Sequence, residues 1–122
     1  MIERRPLGTA GPLVGTIGYG AMVLEGYYGS SDDGEAVGTI RRALDVGMTM
    51  IDSADAYGNG HNERLVARAL EGRREDAFVA TKFGIVFDEG EPATDLPTGW
   101  GFSLRVSGRP DYARRALEAS LQ

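Results

Sequence analysis

Three residues of this chain have the types and spacing to do chemistry together: Asp52, Tyr57 and Lys82. Lys82 is the only lysine, and the other twelve of the thirteen basic residues are arginine. It follows the apolar run Ala77-Phe78-Val79-Ala80-Thr81, and Asp52 follows Met48-Thr49-Met50-Ile51. Both runs are too short for helices and read as buried strands. In a parallel sheet the C-terminal strand ends lie together at one edge, where ligands bind, so Asp52 and Lys82 can meet there. Tyr57, in the loop after Asp52, is a third group. A cation near a phenol stabilises the phenolate and makes the hydroxyl a better proton donor. A compact ammonium suits that place better than a guanidinium, which prefers a carboxylate fork. On spacing alone the same residues also fit a structural ion pair at a strand end, with Tyr57 as ordinary loop packing.

The elements that must position these residues are legible in outline. Residues 1–15 read as an N-terminal hairpin: two extended pieces, IERRPL and LVGTIGYG, flank the turn-rich Gly8-Thr9-Ala10-Gly11-Pro12. Asp32 and Glu35 have capping-box spacing, and Ala36, Val37, Ile40, Ala43 and Leu44 recur with helical period before Gly47, which predicts a helix at about 33 to 46. Asn62 reads as the cap of a second helix with Leu65, Val66, Ala69 and Leu70 on one face and Gly72 as terminator. Residues 16–83 therefore run strand, helix, strand, helix, strand, the alternation of a parallel sheet with right-handed crossovers. Residues 84–109 read as a long irregular loop rich in glycine and proline. Its aromatic residues Trp100 and Phe102 suit either a lid over an apolar substrate or local packing. Residues 110–122 form a third helix opened by Pro110, with Tyr112, Ala113, Ala116, Leu117 and Leu121 on one side.

Composition narrows the function classes. The 122 residues carry a net charge of −5, which argues against a surface built for nucleic acid, and the Arg pairs are spread along the chain among acids. There is no cysteine and one histidine, His61, so thiolate chemistry is excluded and a histidine-rich metal site is not expected. The absence of cysteine fits a reducing cytoplasm. No apolar run approaches the length of a membrane span. Gly15, Gly18 and Gly20 read GxxGxG, which lacks the order of the dinucleotide fingerprint and argues against a Rossmann pyrophosphate loop.

The segments GMTMIDSADAYGNGHNERLVARAL and VATKFGI, with IGYGAM before them and GRPDYARRALEASL after, resemble the aldo-keto reductase family in order and spacing. The resemblance implies the N-terminal part of a (β/α)8 TIM barrel, about three βα units preceded by a short hairpin. It implies a site that binds NADPH and reduces an aldehyde or ketone by hydride transfer. Carried over, Tyr57 is the general acid, Lys82 makes its hydroxyl more acidic and Asp52 holds Lys82. Gly20, Ala21 and Met22 match a segment that lines the cofactor site, together with Asp52. The family also uses a histidine after the fourth barrel strand, which these residues do not reach. His61 stands elsewhere, and is read as a loop or capping residue.

A full barrel takes about 250 residues. The expected partners are therefore a small carbonyl substrate and the C-terminal part of the barrel, and the 122 residues alone are expected to lack useful reductase activity. Two other readings stand beside this one. The first is a non-catalytic NADPH-binding regulatory subunit of the same barrel family, and the second is a small module that assembles with copies of itself.

Overall fold

A computed structural model describes all residues, Met1–Gln122. The chain divides into two compact units, Met1–Thr81 and Lys82–Gln122.

In the first unit, β1 (Arg4–Pro6) and β2 (Leu13–Gly15) form the expected antiparallel hairpin, closed by Leu7 N–H donating to the Pro12 carbonyl at 2.9 Å. The piece LVGTIGYG is not one strand. It breaks after Gly15, and its last two residues become β3 (Tyr19–Gly20), the first strand of a different sheet. That sheet has the order β3-β4-β5, with β4 at Met50–Asp52 and β5 at Phe78–Ala80, all parallel. No two of its strands are consecutive without a helix between them, which is the arrangement the strand and helix alternation predicts.

The first connection is a short 3-10 helix, Ala21–Glu25, then a loop and α1 (Asp33–Asp45). Asp32 caps α1 as its spacing predicts, its side chain accepting from the Gly34 and Glu35 amides at 2.9 and 3.1 Å. Gly47 ends the α1 region with φ 101, and the chain turns there beneath the N-terminus, where Ile2 N–H donates to the Val46 carbonyl at 2.8 Å.

The second connection is α2 (His61–Ala69). Here the structure corrects two expectations. The N-cap is Gly60, so neither Asn62 nor His61 is the capping residue; both lie in the first helical turn. Asn62 is fully buried because its polar side chain has partners on two other segments. Arg41 of α1 lays its guanidinium on the end of α2, donating to the Arg68 and Ala69 carbonyls at 3.3 and 3.1 Å, which satisfies acceptors the helix leaves open. The core sits where α1, α2 and the sheet meet: Ile40 and Leu44, Ile51, and Leu65, Val66 and Ala69.

The second unit differs from the irregular loop expected over 84–109. β6 (Thr94–Pro97) and β7 (Ser103–Val106) pair antiparallel, with Leu96 opposite Leu104, and the segment at Ile85 bridges to Val106 on the other side of β7. Arg105 donates to the Asp88 and Glu91 carbonyls, both at 2.8 Å, folding residues 88–91 onto the hairpin. α3 (Pro110–Ser120) starts with the proline at its first turn, as the sequence predicts. Its Tyr112 hydroxyl donates to the Ile85 carbonyl at 3.1 Å. No helix of the chain is long and apolar enough to cross a membrane.

Candidate active site

Strand register determines which residues share the ligand edge. Gly20 pairs with Asp52, and Asp52 pairs with Ala80, so the last residues of three parallel strands stand in one row. Each then gives way to a connecting segment: Ala21–Glu25 after β3, residues 53–60 with Tyr57 after β4, and Thr81 after β5. Lys82 is the next residue in the chain and opens the second unit. Asp52 and Tyr57 are both half-buried.

The loop bearing Tyr57 is a stack of tight turns. The Tyr57 amide donates to the Ala54 carbonyl at 3.2 Å, the Gly60 amide to Asp55 at 2.7 Å, and the Asn62 amide returns to the Tyr57 carbonyl at 3.2 Å. Gly58, Asn59 and Gly60 all have positive φ, at 61, 49 and 85. Glycine and asparagine tolerate that conformation best, which is the physical content of the sequence YGNG. Tyr57 thus leaves a backbone fixed on both sides.

Of the residues expected on the cofactor site, Gly20 is exposed and Met22 half-buried, whereas Ala21 is fully buried in the core. Gly20 has an extended backbone, φ −85 and ψ 110, and a side-chain carbon placed on it would meet no atom within 4 Å. The strand end there has open space beside its backbone.

Sequence reasoning missed a hydrogen-bonded group beneath this edge. Ser53 Oγ donates to Asn62 Oδ1 at 2.7 Å, and Asn62 Nδ2 donates to the Ala21 carbonyl at 2.9 Å and to Glu25 Oε1 at 3.1 Å. His61 Nδ1 lies 3.0 Å from the same Glu25 oxygen, and its Nε2 lies 3.2 Å from Asp33 Oδ1. Hydrogen bonds that the His61 imidazole donates to Asp33 first and Glu25 second raise its pKa above the ordinary value, against a smaller opposing effect of burial. The only signal in the sequence was the pairing of a lone histidine with an asparagine at a helix start, which reads equally well as capping.

Asp55 was missed too. Its Oδ1 is buried without a hydrogen-bond partner. Burial first, and the charge of Glu63 second, push its carboxyl up, against a backbone hydrogen bond at Ala56. Glu63 in turn accepts from Thr81 Oγ1 at 2.6 Å, which ties the start of α2 to the end of β5.

Comparison with known proteins gives one consistent family. A model of the aldo/keto reductase family matches residues 16–122. The chain is 38% identical over 111 residues to the aldo-keto reductase yakc [NADP(+)] of Schizosaccharomyces pombe, covering 89% of this chain and 30% of that protein. It is 36% identical to probable aldo-keto reductase 1 of Glycine max, covering 99% of this chain and 32% of the relative. Among solved structures, the holo form of aldo-keto reductase AKR11C1 from Bacillus halodurans superposes with a TM-score of 0.77 at 30% identity, covering 99% of this chain and 36% of the other. The chain thus spans about a third of the length of the curated relatives it matches.

Proposed function

The chain belongs to the aldo/keto reductase family, and on that premise we propose that it carries the proton-donating part of an NADPH-dependent carbonyl reductase site, with Tyr57 as general acid. The observation that carries this reading is the strand register. It brings Gly20, Asp52 and Ala80 into one row, with the Tyr57 loop leaving from it and Lys82 following two residues past Ala80. The cofactor class is taken from the name of the Schizosaccharomyces pombe relative, and the open backbone at Gly20 fits a flat ring.

When bound, the reduced nicotinamide supplies a hydride to the carbonyl carbon of an aldehyde or ketone. The chain's own residues handle the proton. The Tyr57 hydroxyl donates to the carbonyl oxygen as that oxygen gains negative charge, so the product leaves as an alcohol and Tyr57 is left as phenolate. In the roles carried over from the family resemblance, Lys82 would stabilise that phenolate and Asp52 would hold the ammonium. Gly20 and Met22 would border the ring, and Ala21 is buried in the core.

Two variants test the two halves of the reading. A side-chain carbon at Gly20 would meet no atom of the chain within 4 Å, so Gly20→Leu is expected to fold while filling the ring's space. NADPH fluorescence titration should show binding to the wild-type chain and none to Gly20→Leu; equal behaviour of the two overturns the cofactor site. In any preparation that oxidises NADPH with an aromatic aldehyde, Tyr57→Phe should lower the rate by about 10²- to 10⁴-fold. Undiminished oxidation overturns Tyr57 as the acid.

A further inference from the structure

His61 stands between two carboxylates that bound a single loop. Glu25 is the last residue of the short helix Ala21–Glu25, Asp33 is the first residue of α1, and residues 26–32 run between them. That loop is exposed throughout, with Tyr27 at 60% and Tyr28 at 76% exposure, and Gly26 and Gly29 both have positive φ. It leaves the sheet from the same edge as the Tyr57 loop. The charged groups facing His61 are Glu25 from the 21–25 helix and Asp33 from α1. Arg68 of α2 also reaches Asp33, its Nη1 3.6 Å from the Oδ2 that lies 3.3 Å from His61 Nε2.

The two arms differ chemically. Nδ1 is 3.0 and 3.1 Å from the two oxygens of Glu25, whose side chain is only 10% exposed, while Nε2 faces Asp33, whose side chain is 52% exposed. An imidazolium has an N–H at both nitrogens and can donate to both carboxylates. A neutral imidazole has one, and its other nitrogen then sets a lone pair against a carboxylate. Glu25 is nearly buried and needs its donors, so the remaining N–H stays on Glu25. Asp33 can be solvated by water instead.

We propose that His61 is a proton-operated latch on the loop 26–32: as imidazolium it pins both ends of the loop to the first turn of α2, and on losing its proton it gives up its own hold on the Asp33 end, leaving that end only the exposed Arg68 contact. This stands independently of the proposed reductase chemistry. The latch is closed below the ordinary imidazole value of 6.5 and opens as pH rises through the raised value of the folded chain.

Because His61 is the only histidine, its imidazole signals in a proton–carbon NMR titration need no assignment. The midpoint in the 122-residue chain should lie above 6.5 and fall in both Asp33→Asn and Glu25→Gln, reaching the ordinary value in the double variant. Amide hydrogen exchange, corrected for intrinsic rates, should accelerate several-fold in residues 27–35 across the wild-type midpoint. Asp33→Asn changes an exposed side chain and is expected to fold; in it, exchange should already be fast at low pH and show no step. An ordinary midpoint in the wild type, a raised midpoint that survives in the double variant, or exchange without a step each overturns the latch.

Discussion

Asp55 shows how one side chain can sit uneasily beside a proposed site. Its buried Oδ1 lacks a partner and its carboxyl faces the charge of Glu63. The folded chain therefore holds the Asp55 proton longer than the unfolded chain does. Stability is lost as pH rises from the ordinary value of 3.8 through the raised folded value, and the penalty is fully present at neutral pH. Asp55→Asn removes the charge and keeps the shape. Thermal melts at neutral pH should show a higher midpoint in Asp55→Asn than in the wild type, and the gain should vanish toward acid. A gain that persists at low pH would mean the charge is not the cause. This strain was invisible in the sequence, because Asp55 reads there as one more loop carboxylate. Asp52, Tyr57 and Lys82 drew notice in the sequence because an acid closing one apolar run, a phenol in the loop after it and a lone lysine after the next run are unusual types for those places.

At the scale of elements, what was legible depended on local chemistry and what was missed depended on contacts between segments. Asp32 caps α1 through bonds within three residues of itself, so its type and spacing suffice to identify it. Asn62 carries the same cap signal, yet its side chain is committed to Ser53, Ala21 and Glu25, and only the fold brings those segments to it. Asn62→Leu keeps the branching at Cγ in a slightly larger side chain and removes three hydrogen bonds, leaving buried polar atoms behind. Urea denaturation should register a loss of about 2 to 4 kcal/mol; a loss below about 0.5 kcal/mol would show that Asn62 is not structural. Gly47 is a second such junction. Its φ is 101, and a side-chain carbon there would lie 3.0 Å from the Ile2 nitrogen. Gly47→Ala should therefore cost about 1 to 3 kcal/mol by the same measurement. The strands β6 and β7 escaped notice because TDLP and SLRV are four-residue pieces set among glycine and proline; Phe102, Leu104 and Val106 do alternate with polar residues, but over too short a run to stand out beside a TDLP that does not.

The whole molecule is unevenly stabilised. Nearly every buried apolar side chain belongs to the first unit, where α1 and α2 cover the three-strand sheet. In the second unit the buried residues are Val86 and Ser107, and α3 buries none of its side chains. Its apolar side chains Leu117 and Leu121 are 54% and 77% exposed, and the hairpin carries Trp100 at 82%. Hydrogen bonds and the Arg115–Glu91 pair at 2.6 Å, whose arginine is 54% exposed and whose glutamate is 12% exposed, hold the second unit in shape. An amphipathic helix without a buried face draws little from packing, and isolated helices of this length are marginal in water. Local opening in the second unit should therefore need far less free energy than opening around Ile51. Amide hydrogen exchange on the 122-residue chain should show residues 110–120 and the β6–β7 pair exchanging at least about 100-fold faster than β4 and the buried face of α1, a gap of about 2.7 kcal/mol. Equal protection in the two units would mean that the second unit is held by something other than its own core, and the stability argued for it from buried area would be wrong.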